Sequence, residues 1–93
     1  MIKTVKILGK KIKIEVSKGM DDHGDFNSAK HLIRLNGRDS KSEREKTLFH
    51  ELIHASLFIG GINELLTEEL EEAIVRNIEH GIFPILKRLN KNG

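Results

Sequence analysis

The chain has 93 residues, 38% hydrophobic and 32% charged, with a net charge of +2 and no cysteine, tyrosine or tryptophan. That length supports one domain around a small core, and the apolar runs are too short to cross a bilayer. Lack of cysteine rules out disulfides and thiolate ligands, so any metal must be held by histidine and carboxylate; a cytoplasmic location is expected.

The opening, "MIKTVKILGKK", lacks the apolar core of a secretory signal. Residues 1–18 carry six lysines against Glu15, whereas residues 62–80 carry six glutamates against Arg76. Such lysines can meet phosphate groups, but they also keep exposed strand faces soluble. With no aromatic residue between them, nucleic acid is not the expected partner.

In "TVKILGKKIKIEV", Val5 and Ile7, then Ile12, Ile14 and Val16, alternate around Gly9–Lys10. This predicts a β-hairpin with one buried face. "SKGMDDHGDFNSAK" reads as a loop, and "HLIRLNG" as a third strand with Ile33 and Leu35 on one face, ending at Asn36–Gly37. The period then changes. "SKSEREKTLFHELIHASLFIGG" starts with capping-box spacing between Ser40 and Glu43 and stops at Gly60–Gly61. Leu48, Leu52, Ala55 and Ile59 form one apolar line on this helix, Ile53 and Leu57 another. A second helix is expected from a cap at Thr67 to about Gly81, with a kinked continuation or a short separate helix at Pro84. The order predicts an α+β domain over residues 1–93: a small antiparallel sheet, made of the hairpin plus a third edge strand, packed on two helices.

The first helix carries His50, Glu51 and His54 in the pattern H-E-x-x-H. Residues i and i+4 share a helix face, so both imidazoles can reach one ion. Glu51 is rotated about 100° from His50. It therefore flanks the ion, where a base could take a proton from water. Buried without an ion, these three polar groups would together cost several kcal/mol, roughly.

"TLFHELIHA" resembles the active helix of zincin metallopeptidases, in particular small ImmA/IrrE-like or minigluzincin-type proteins found in phages and mobile elements. The similarity runs from about residue 24 to 88: an extended segment, a polar turn, the H-E-x-x-H helix, then a helix carrying "EEAIVRNIEHGIFPIL". It implies Zn²⁺ as cofactor and a glutamate from the second helix as third ligand. Glu-Ala context in the family favours Glu72, whereas periodicity favours Glu71, one turn before Ile74 and Val75; Glu69 ranks third. Leu65 and Phe83, within about 20° of Glu72 on a helical wheel, keep its face open to burial. The tyrosine that stabilises an oxyanion in some zincins has no counterpart. Of the other histidines, His23 lies in a loop from which it could reach the site. His31 is expected to be exposed, and His80 to serve a helix C-terminus beside Gly81.

Pattern and resemblance imply a zinc metallopeptidase acting on a peptide or protein, for which relatives suggest a repressor-type partner. "HLIRLNG" would be the edge strand that pairs with extended substrate, or an ordinary edge strand guarded by Arg34. Two other readings remain. One is a non-catalytic protein, stabilised by its metal, that acts by binding a partner. The other is a regulator that binds DNA through the lysine-rich hairpin.

Overall fold

The computed structural model describes the backbone of residues 2–92 and the side chains of residues 3–91. Four strands come first: β1 (Ile2–Ile7), β2 (Lys10–Ser17), β3 (Gly24–Asn27) and β4 (Leu32–Asn36). Helix α1 (Lys41–Ile59), a 3-10 turn (Ile62–Leu65) and helix α2 (Glu68–Asn92) follow. The domain is α+β, with the sheet order β1-β2-β4-β3. The two outer pairs are antiparallel, but β2 and β4 run parallel, so the sheet is mixed rather than antiparallel.

The hairpin forms with Ile7 opposite Lys10, which makes Leu8–Gly9 the turn instead of Gly9–Lys10. Both turn residues have positive φ, 50° and 81°, as a type I′ turn requires. A two-residue change of register keeps every apolar side chain on its face, so alternation alone could not choose between the two turns. The register found places Val5 opposite Ile12.

The predicted loop holds a strand. β3 is short and carries Gly, Asp and Asn, poor strand formers that gain order by pairing with β4. Consequently β4 is an interior strand between β2 and β3, not an edge, and β3 is the edge strand. Arg34 pairs across the sheet with Asp25 instead of guarding an edge. His31 is half-buried rather than exposed, with φ of 49° and its ring 6.1 Å from Phe58.

Ile12, Ile14, Ile33, Leu35 and Ala55 form the core between the sheet and α1, flanked by Val5, Ile7, Phe26, Leu48, Leu52 and Ile59. The line Leu48–Leu52–Ala55–Ile59 is therefore the sheet-facing stripe of α1. Ser40 Oγ accepts from the Glu43 amide at the helix start, and Gly60 closes the end on Ser56 and Phe58. Thr67 Oγ1 caps α2 by accepting from the Leu70 amide.

α2 runs through Pro84 to Asn92 as one helix, so the expected separate helix does not form. Proline leaves the carbonyl of His80 without its helical donor, but both residues are exposed, where water can take that place. His80 is consequently mid-helix, not at a C-terminus, and its Nε2 lies 3.5 Å from Glu79. The two helices pack antiparallel: Lys87 meets Ser42 near the start of α1, Phe83 meets Phe49 at its middle, and Glu71 meets His54 farther along.

Candidate metal centre

His50 and His54 project from α1 toward the first turns of α2. Their Nε2 atoms lie 3.3 Å apart. The carboxylate of Glu72 completes a triangle, with Oε1 3.2 Å from His50 Nε2 and Oε2 3.1 Å from His54 Nε2. The Nδ1 atoms are occupied by other carboxylates: Glu79 at 2.6 Å from His50 and Glu71 at 2.6 Å from His54.

This pairing fixes the chemistry at the centre. An Nδ1–H that donates to a carboxylate leaves Nε2 with a lone pair and no proton. With both imidazoles neutral, two such nitrogens and the Glu72 carboxylate face one another as three acceptors, an arrangement that a cation between them would relieve. Corners of a tetrahedron whose centre lies about 2.0 Å away are about 3.3 Å apart, close to the observed separations. The donor set therefore fits a divalent ion with nitrogen and oxygen ligands. His50, His54 and Glu72 form the candidate metal site.

The two glutamates weighed as third ligand thus take different places. Glu72 lies among the Nε2 atoms, whereas Glu71 sits behind His54 on Nδ1. Leu65 does not mark a buried face near Glu72: it belongs to the preceding turn and is 79% exposed. Phe83 does, through its packing on Phe49. Glu69 is exposed and stands apart from the cluster.

Glu79, one of five glutamates the second helix offers, was not ranked from the sequence. It is only 7% exposed, with Lys46 Nζ 3.8 Å away on its far side. Its signal was its spacing: seven residues from Glu72, about 20° short of two full turns, with buried Val75 between them.

Glu51 is not one of the three candidate ligands, is half-buried, and has no hydrogen-bonding partner among the described residues. Burial raises its carboxyl above its ordinary pKa, offset in part by the nearby histidines His54 and His50. Two open clefts, of about 720 and 680 Å³, share Gly24, His50, Glu51 and Glu72 in their linings. The first adds His23 and the cations Lys46 and Arg76. The second adds Phe26, Phe58 and Leu66. His23 thus reaches the cleft beside Glu51; its Nδ1 is 2.8 Å from Asp39, and that hydrogen bond raises its pKa.

Asn36 holds the chain that leads into this wall. Its buried side chain donates to the carbonyls of Met20 and Asp22, and its amide donates to the carbonyl of His23. Gly24 then passes so close to α1 that a Cβ there would sit 2.6 Å from Thr47 Cγ2 and 2.7 Å from the Arg34 carbonyl. Only glycine fits.

The profile of the IrrE N-terminal-like domain matches residues 5–79, from the first hairpin strand through Glu79. The chain belongs to this family. The IrrE N-terminal-like domains are zincin-like and metallopeptidase in class, which agrees with a His-His-Glu cluster beside a free glutamate. No curated protein and no solved structure matches the chain. Among the described residues, no helix is long and apolar enough to cross a membrane.

Proposed function

We propose that this protein is a zinc-dependent metallopeptidase that hydrolyses peptide bonds in an extended segment of a protein substrate. The observation that carries the proposal is the division of labour on α1 and α2. His50, His54 and Glu72 converge on one point, while Glu51 stays outside that set in a cleft open on both sides. Zn²⁺ held by the two Nε2 atoms and the Glu72 carboxylate would supply a Lewis acid that acidifies water and polarises a carbonyl. Glu51 accepts a proton from the attacking water on its carboxylate and returns it to the departing amide nitrogen. One water is consumed, one C–N bond breaks, and a carboxylate and an amine are released. Glu79 and Glu71 keep the imidazoles in the tautomer that presents Nε2.

The free edge of β3 supports a substrate lying as an added strand, because β3 borders both clefts through Gly24. Testing requires zinc per chain and hydrolysis of unfolded and partner proteins by wild type and Glu51→Gln. Stoichiometric zinc in both, with hydrolysis only in wild type, is expected. A chain that retains no metal after metal-replete expression refutes the proposal.

A non-catalytic reading draws on one observation, the small core: the largest fully buried side chains are only Ile12, Ile33 and Val75. An ion joining α1 to α2 would add folding energy to such a domain. In that case chelation unfolds the protein, and Glu51→Gln leaves its biological effect intact.

A further inference from the structure

α2 continues thirteen residues beyond Glu79, where the family match ends, and an apolar line begins before that point and runs on past it. Leu70, Ile74, Ile78, Gly81, Ile85 and Leu89 follow one another at intervals of three or four residues. They share a stripe about 28 Å long. Leu70 is 54% exposed, Ile85 48% and Leu89 63%, so the ends of the stripe have no partner within the chain. The intervals of four, four, three, four and four make one helix face, on which a second helix can pack without the heptad repeat of a left-handed coiled coil.

Two further features indicate what covers it. Gly81 stands near the middle of the stripe, in a helix interior where glycine is unfavourable relative to alanine. Nothing in this chain requires it, since a Cβ at Gly81 would meet no atom within 4 Å. A glycine at the centre of a helix face allows a second backbone to approach closely. The helix is also divided in charge end to end: exposed Glu68 lies at its start and exposed Arg88 and Lys91 at its end, while Glu69 lies about 160° from Ile85, away from the stripe. A like helix laid antiparallel brings acidic start against basic end, and brings the two Gly81 positions together; a parallel one sets like charges side by side.

We propose that a second copy of this chain packs antiparallel on the apolar stripe of α2, forming a twofold dimer through Gly81. Arg76, which lines the cleft, lies about 180° around the helix from Ile85, so the pairing leaves that cleft open. The proposal does not depend on the peptidase reading.

Sedimentation of the whole chain across the micromolar range tests it. A monomer–dimer equilibrium is expected, abolished by Ile85→Glu at a position exposed in the monomer. Gly81→Ala is the more revealing variant. It raises the thermal midpoint of samples too dilute to dimerise, yet weakens dimerisation by at least about tenfold. Orientation follows from single cysteines in this cysteine-free chain: Ile74→Cys mixed with Leu89→Cys, nearly opposite each other when the two Gly81 positions meet, should cross-link, and Leu89→Cys alone should not. A chain monomeric at every concentration, including one whose stripe is covered by some other protein in the cell, overturns the proposal. So does a Leu89→Cys homodimer that outcompetes the mixed product, or a Gly81→Ala variant that dimerises as well as wild type.

Discussion

Glu79→Gln separates metal binding from ligand supply, because it changes no ligand. The carboxylate is 2.6 Å from His50 Nδ1 and buried beneath the metal site. The amide keeps the size of the side chain and one oxygen acceptor but removes the negative charge that makes the bond charge-assisted. Partners of this kind are worth about 10–100-fold in metal affinity, or about 1.4–2.7 kcal/mol. The loss appears as reduced stability of the metal-loaded protein at fixed free zinc. For a domain of this size it corresponds to a fall of roughly 7–14 °C in thermal midpoint. The assay is competition with a chromophoric chelator, run beside thermal unfolding with and without zinc. Glu71→Gln, which acts on His54, should behave similarly, and Glu69→Gln, exposed and outside the cluster, should match wild type. A Glu79→Gln protein that binds zinc within about twofold of wild type refutes the assignment of Glu79 as the group that orients His50.

Glu72→Ala removes a ligand and should cost more than about 100-fold in zinc affinity, beyond the loss from Glu71→Gln in the same titration. Gly24→Ala forces a methyl against Thr47 and the Arg34 carbonyl; about 1–3 kcal/mol of destabilisation is expected by denaturant unfolding. Thr47→Ser, which removes the clashing Cγ2, should restore only part of it, because the backbone contact stays. In the metal-free protein, burial raises the pKa of Glu51 above its unfolded value. The folded state then holds its proton more tightly, so this group's contribution is fully present below the unfolded pKa and is lost as pH rises through the folded one. Chelated Glu51→Gln should therefore lose less stability than chelated wild type as pH rises from acid toward neutral.

The H-E-x-x-H pattern was legible because its geometry is local. One helical turn brings His50 and His54 together whatever else the chain does, and Ser40 with Gly60 bounds the helix that carries them. The apolar alternation in β1 and β2 and the stripe on α1 were equally local, and each found its expected face except at Val16, which is 40% exposed at the end of β2. The choice between Glu71 and Glu72 was not local. Both face α1, and which one reaches the Nε2 atoms depends on the rotation and depth at which α2 docks, set by contacts such as Phe49 with Phe83. β3 was hidden for a related reason: three of its four residues, Gly24, Asp25 and Asn27, are weak strand formers that acquire order from β4 beside them and from α1 pressing on Gly24. That pairing moved "HLIRLNG" from the edge to the interior of the sheet and gave the free edge beside Glu51 to β3. Short-range spacing thus encodes two candidate ligands and the proposed base, while the candidate third ligand, the carboxylates behind the histidines and the wall of the cleft arise where distant segments meet.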